Sequence, residues 1–326
     1  MRALLCKAHG LPETLVVEEL PTPAPGPGQV LVDVKAAGVN FPDALIIQNK
    51  YQLKPPLPFA PGAELAGIVV GLGSGTTRFK LGDAVCGVTG FGAFAEELAV
   101  DADNLFALPA GVSFDVAGAF VLAYGTSHHA LKDRAALQPG ETLVVLGASG
   151  GVGLAAVEIG KLLGARVIAC ASTADKLALC TAHGADLTIN YATGDLKERI
   201  RELTGGKGAD VVYDPVGGGY TEPALRSMAW GGRYLVVGFA NGEIPKIALN
   251  LPLLKGCSVV GVFWGGFVGH EPARAIAGIE ELFDWLVAGK LRPEISARYA
   301  LADAPAALRA MLDRRVTGKV VVLPEA

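Results

Sequence analysis

Cysteine is scarce in this sequence and widely scattered. Cys6, Cys86, Cys170, Cys180 and Cys257 form no C-x-x-C pair. Such spacing argues against a disulfide framework and against a structural zinc lobe, and leaves free, buried thiols as the expectation. No apolar run approaches the roughly eighteen residues of a membrane span. The net charge is only −4, and basic residues occur singly or in pairs such as Arg314-Arg315, so there is no electrostatic footprint for nucleic acid. The start, Met1-Arg-Ala-Leu-Leu-Cys-Lys7, turns charged too soon for a secretory signal. These absences point to a soluble protein of a reducing compartment, the cytoplasm, acting without membrane or nucleic acid.

Apolar residues and glycine are what the chain has in quantity. Over its 326 residues 51% are hydrophobic, enough for a large core and, on length, for two domains. The 43 glycines follow no period and fall at element ends. His128 and His129 are neighbours and point about 100° apart on a helix, so they make no metal pair. His9, His183 and His270 have no carboxylate or cysteine at a ligand-like spacing.

The most informative stretch is Val144 to Gly153. An apolar run, Thr142 to Leu146, breaks into small residues, and a helical pattern follows with Val152, Ala155, Ala156, Ile159, Leu162 and Leu163 on one face. A second strand, Arg166 to Ala171, completes a βαβ unit. Glycine permits positive φ in such a turn and has no Cβ to hold a ligand away. A pyrophosphate would sit on backbone N–H groups at the positive end of the helix dipole. Gly147, Gly150 and Gly153 are spaced three apart, a departure from the strict G-x-G-x-x-G. The expected dinucleotide cradle is Gly147, Ala148, Ser149, Gly150, Gly151, Val152 and Gly153.

Residues 1 to about 120 read as a β-rich barrel or sandwich. Runs at Leu15–Glu19, Gln29–Ala37, Ala66–Gly71, Ala84–Val88 and Phe94–Val100 are separated by Pro and Gly clusters, and Asn40–Gln48 suits a short helix. From about Ala117 helical patterns, beginning with Val116–Leu131, alternate with buried runs at 143–146, 167–171, 187–189, 211–213, 234–238 and 258–263. That alternation predicts a parallel, doubly wound sheet. Pro272–Ala288 is helical, and the tail, a helix at Ala304–Asp313 and a strand at Gly318–Leu323, is expected to rejoin the first domain.

These features, with Ala36-Ala-Gly-Val-Asn-Phe-Pro-Asp43, Pro61-Gly-Ala-Glu-Leu-Ala-Gly67, Leu81-Gly-Asp83, Leu137-Gln-Pro-Gly-Glu141 and Gly318-Lys-Val-Val-Val322, resemble the medium-chain dehydrogenase/reductase superfamily. The turn at 147–153 resembles its zinc-free quinone oxidoreductase, zeta-crystallin-like branch. The resemblance implies an α/β protein: a GroES-like β-barrel catalytic domain (1–122 and 266–326) and a six-stranded Rossmann cofactor domain (123–265). Zinc-dependent relatives place a cysteine where this chain has Asn40 and a histidine where it has Ala63. Catalytic zinc needs about three protein ligands, so no metal is expected.

The tip of the second Rossmann strand, Cys170-Ala-Ser-Thr173, is neutral, and Lys176 follows within a turn. An acid at that tip favours NAD, whereas Ser172 and Lys176 suit the 2′-phosphate of NADPH. The resemblance adds Thr126, Tyr191 and, loosely, Lys319 as cofactor contacts. Gly238-Phe239 and Phe263-Trp264, at the carboxyl ends of the fifth and sixth strands, are expected near the nicotinamide. Asn40 is expected to face the reacting centre, as hydrogen-bond donor to the substrate or as a cofactor contact. Tyr51 resembles the proton donor of related enoyl-thioester reductases. A metal-free site needs an acceptor that is already electrophilic, a quinone or a conjugated carbonyl. The alternatives are an enoyl-CoA or acyl-carrier-protein reductase and a crystallin-like NADPH-binding protein without activity. A homodimer through the edge of the Rossmann sheet is expected by resemblance.

Overall fold

A computed structural model describes residues 1–326. Contacts gather the chain into two compact units, Met1–Leu122 with Pro293–Ala326, and Ala123–Arg292. The first unit begins with seven strands: β1 (Arg2–Leu5), β2 (Val16–Glu19), β3 (Gln29–Gly38), β4 (Glu64–Leu72), β5 (Ala84–Val88), β6 (Glu97–Asp101) and β7 (Leu105–Ala107). The second holds β8 (Thr142–Val145), β9 (Arg166–Ala171), β10 (Leu187–Asn190), β11 (Ala209–Asp214), β12 (Met228–Val236) and β13 (Ser258–Gly261). The tail returns β14 (Ile295–Ala300) and β15 (Lys319–Leu323) to the first unit.

The first unit is built on β3. Its neighbours are β4 on one side and β15 on the other, and β6 also pairs with it, within a seven-stranded sheet ordered β14-β15-β3-β4-β5-β7. Val30, Val32 and Val34 of β3 alternate into a core with Leu65 and Val69 of β4, while the tail contributes Leu308, Val320 and Val322. The antiparallel register sets Val321 opposite Gly38, which brings the start of β15 beside the end of β3. The proline-rich segment after β2 has no regular structure, as proline's fixed φ and missing donor require.

The second unit is a six-stranded parallel sheet ordered β10-β9-β8-β11-β12-β13, the doubly wound arrangement in which strand order reverses beside β8. Its strands are nearly continuous apolar runs because helices cover both faces. Glu141 in the turn before β8 takes a two-pronged ion pair from Arg233 of β12, with N–O distances of 2.8 and 2.7 Å. No helix of the protein is long and apolar enough to cross a membrane.

The structure corrects several expectations. Strands β1, β7 and β14 were absent from the sequence reading; they are short or half-exposed, so they lack a clear alternating signal. The predicted helix 116–131 is three pieces, Phe114–Ala117, Val121–His128 and a wider π turn at His129–Arg134, the first ending at Gly118. Residues 266–292 gather with the second unit and not with the barrel. The helix Pro272–Val287 buries Ala275, Ile279, Leu282 and Phe283, and its Glu281 meets His128 Nε2 at 2.7 Å. Phe267, in the preceding helix, stacks on His129 with ring centroids 3.9 Å apart. An apolar helical face is visible in a sequence, but the surface it covers is not.

Candidate functional site

The glycine turn lies at the carboxyl end of β8 and opens the twelve-residue helix Gly151–Leu162. Gly147 has φ +58°, a conformation glycine adopts without strain. A Cβ on Gly153 would stand 2.3 Å from the Gly147 carbonyl oxygen, so that position packs the helix directly on the turn. At Gly150 the nearest atom to such a Cβ is 3.5 Å away, so the mouth of the turn is open. Ala148 N–H donates to Cys170 O at 3.0 Å and Leu146 N–H to Tyr213 O at 3.0 Å, tying the turn to both neighbouring strands. Leu154 N–H is the first amide to find its helical acceptor, Gly150 O at 2.8 Å. The amides of Gly151, Val152 and Gly153 precede it and are of the kind that hold anions.

Sequence reasoning missed Ser127. Its hydroxyl donates to Val152 O at 2.8 Å and lies 2.9 Å from the Tyr213 hydroxyl, so it links the first turn of the helix to β11. Its neighbour Thr126 is half-buried on the same helix. At the end of β9, Ser172 is half-buried, and Thr173 caps the next helix by accepting Lys176 N–H at 3.4 Å. This places Lys176 in the first turn beyond a neutral strand tip, with Asp175 exposed. Tyr191, just beyond β10, packs its ring on Tyr220 at 4.4 Å.

Asp214, at the end of β11, organises the loop that follows. One carboxylate oxygen accepts the amides of Val216 and Gly217, both at 2.8 Å, and the other accepts the hydroxyls of Thr221 and Tyr234. Gly238 N–H donates to the Asp214 carbonyl at 3.3 Å, and Phe239 packs over Gly217, where a Cβ would meet its ring at 2.9 Å. Phe263 is 61% exposed at the end of β13. Trp264 is half-buried, with its ring over Gly125. The three histidines near carboxylates are structural: His128 meets Glu281, His129 meets Asp133, and His183 meets Glu158 at 2.7 Å across 25 residues of sequence.

In the barrel unit the candidate residues form a buried network. Asn40, 5% exposed, precedes the short helix Phe41–Ile46 with extended backbone, and its N–H donates to Asp43 Oδ2 at 2.8 Å. Its side-chain amide donates to Glu64 Oε1 at 2.9 Å and to Gly38 O at 3.3 Å. Lys319 donates to Asn40 Oδ1, to Glu64 Oε1 at 2.8 Å and to Val39 O at 3.2 Å. The loose expectation that Lys319 touches the cofactor changes here: it is 3% exposed, and its ammonium is occupied inside the barrel.

Asn40 likewise has its amide held by protein groups. Glu64 and its pairing with Lys319 were not anticipated, although both lie in motifs singled out above. Burial, with the Glu64 charge adding to it, pushes the Asp43 carboxyl up to about 7 against the pull of the Asn40 and Gly62 amides and Lys319. Tyr51 is half-buried against this core, and burial and then the charge of Asp43 push its phenol up.

No group of three or more His, Cys, Asp or Glu side chains is arranged to share a metal ion. Asn40 and Ala63 stand at the two ligand positions of zinc-dependent relatives, and the nearby carboxylate, Glu64, is already paired with an ammonium.

Two family descriptions match the chain: "Alcohol dehydrogenase GroES-like domain" over residues 26–110 and "Zinc-binding dehydrogenase" over 151–281. The chain is 42% identical to a quinone oxidoreductase-like protein 2 homolog of Nematostella vectensis, over 98% of this chain and 88% of that protein. It is 38% identical to a quinone oxidoreductase of Pseudomonas aeruginosa, over 97% of this chain and 98% of the relative. Among solved structures, the Escherichia coli quinone oxidoreductase in complex with NADPH superposes with a TM-score of 0.93 at 31% identity, covering 99% of this chain and all of that one (100%). A GroES-like unit with a Rossmann unit inserted before its last strands defines a medium-chain dehydrogenase/reductase. Within that class the chain belongs to the zinc-independent quinone oxidoreductase, zeta-crystallin-like family.

Proposed function

We propose that this protein is an NADPH-dependent reductase that delivers hydride, without metal, to small quinones or other activated α,β-unsaturated carbonyls. The observation that carries the reading is the open glycine turn at the head of Gly151–Leu162, set beside a strand tip with Ser172 and Lys176 in place of an acid. Relatives named as quinone oxidoreductases, one solved with NADPH, support it.

The residues fit the cofactor. The amides of Gly151, Val152 and Gly153 receive the pyrophosphate, with Gly147, Ala148, Ser149 and Gly150 shaping the turn. Ser172 donates to the 2′-phosphate and Lys176 neutralises it, while Tyr191 packs beside the adenosine. Thr126, Gly238, Phe239, Phe263 and Trp264 hold the nicotinamide end, at the carboxyl ends of the strands. When bound, NADPH supplies the hydride.

Charge then develops on the acceptor's oxygen. Asn40 offers it the amide hydrogen now resting on Gly38 O, the longest of its bonds. Tyr51 donates the proton: a phenol carries its proton at neutral pH, and burial and the charge of Asp43 oppose its loss until charge develops on the acceptor. Lys319 serves this site from beneath through Asn40. The five free thiols, four of them buried, accord with work in the cytoplasm.

The cofactor assignment is tested by titrating NADPH and NADH into the wild type and Lys176→Ala. The variant is expected to lose on the order of tenfold or more in NADPH affinity and little for NADH. Equal losses for both cofactors would remove the assignment.

A further inference from the structure

The buried ion pair of Lys319 and Glu64 closes its own accounts. An ammonium has three protons to give, and Lys319 gives them to Val39 O, Asn40 Oδ1 and Glu64 Oε1. Glu64 takes Asn40 Nδ2 and Lys319 on one oxygen and Leu122 N–H at 3.0 Å on the other. Both side chains are almost completely buried, at 3% and 1% exposure. Gly38 makes the room, since a Cβ there would stand 2.5 Å from Glu64 Oε1. Such a pair adds little net stability compared with apolar side chains of the same volume, because desolvation offsets the attraction. Stability therefore does not account for two buried charges at this place.

The position of the Asn40 amide does. An ammonium only donates, so the amide oxygen must face Lys319; a carboxylate only accepts, so the amide nitrogen must face Glu64. Turning the amide over would set N–H against ammonium and oxygen against carboxylate in a low-dielectric interior. Resting on the function proposed above, we propose that Lys319 and Glu64 are positioning residues that lock the Asn40 amide in one orientation. The lock leaves a single amide hydrogen, the one on Gly38 O at 3.3 Å, to be lent to an acceptor oxygen. The pair thus gives a metal-free site a preorganised donor.

The test compares wild type with Glu64→Gln and with the double variant Glu64→Gln/Lys319→Met. The double variant removes both charges of the pair together and so keeps the test open if the single variant fails to fold. Two quantities are read. One is hydrogen exchange of the Asn40 side-chain amide by NMR, its signal assigned by its loss in Asn40→Asp. The other is kcat, KM and NADPH affinity with a naphthoquinone acceptor. The double variant is expected to exchange the Asn40 amide about tenfold faster. It is expected to lose on the order of tenfold in kcat with NADPH affinity preserved. Unchanged exchange, or faster exchange with wild-type kcat, would overturn the proposal. A wild type that turns over no acceptor would defeat the proposed function instead, and the amide exchange would still decide whether the lock exists.

Discussion

Gly153 has no room for a methyl group. A Cβ would stand 2.3 Å from the Gly147 carbonyl and 2.8 Å from Ala148 Cα, both backbone atoms that cannot turn aside. Gly153→Ala is expected to lift the helix off the turn, lose NADPH binding and destabilise the protein by about 1–3 kcal/mol. Cofactor titration and a melting curve check both. Tyr51→Phe is expected to lower kcat on the best acceptor on the order of a hundredfold with NADPH affinity intact; turnover that survives the change removes the proton-donor role. Asp43 carries a pH dependence. Its carboxyl is raised from 3.8 to about 7, chiefly by burial, so in that window the folded protein holds a proton that the unfolded chain has released. Stability therefore falls as pH rises from near 4 through about 7. Asp43→Asn keeps an acceptor for the Asn40 N–H and cannot ionise. The melting temperature of wild type should fall relative to this variant between about pH 5 and pH 8; parallel curves would contradict the assignment. Among single residues, the glycine turn was legible as backbone geometry because its conformation is local. The Glu64–Lys319 pair was not, because the two residues are 255 positions apart and nothing in either motif names the other.

The elements that the sequence revealed best are the inner strands of the parallel sheet, whose apolar runs are buried on both faces: β8, β9 and β11 are almost entirely inaccessible. The edge strand at 258–263 was found as well, but it was read as a buried run. Strand β13 ends the sheet and exposes most of its residues, with Val259 at 42%. Nearby chain segments carry the exposed apolar side chains Leu249, Leu253 and Leu254, each at least 70% exposed. An unpaired edge with apolar flanks is a template for strand addition, and a second copy of this chain is the proposed occupant. Val259→Lys is expected to convert a dimer to a monomer in sedimentation or light scattering, since a lysine on an edge strand opposes pairing. A wild type that is already monomeric at micromolar concentration would end the dimer proposal. The helix Pro272–Val287 shows the opposite limit of sequence reading: its apolar stripe was evident, and its assignment to the barrel was wrong because the stripe says how much is buried and not against what.

At the scale of the whole molecule, the chain leaves the barrel unit after Leu122, builds the Rossmann unit, and returns at Pro293 to add β15 beside β3. That return is what places Lys319 beneath Asn40, and it makes the barrel site depend on both ends of the sequence. The two-part architecture was legible because strand spacing changes character near Ala117 and because the motifs span nearly the whole length. The acceptor was not legible, because the shape of a substrate pocket depends on loops whose course no periodicity records. The central claim is NADPH-dependent hydride transfer to an activated carbonyl, and the most direct measurement is NADPH oxidation by the wild-type protein. A naphthoquinone, a small enone and a medium-chain enoyl-CoA are offered in parallel, with NADH as the cofactor control. The account predicts turnover with the quinone or the enone and a clear preference for NADPH. A preference for the thioester would transfer the protein to enoyl reduction, and tight NADPH binding with no oxidation by any of the three would contradict the enzymatic reading itself.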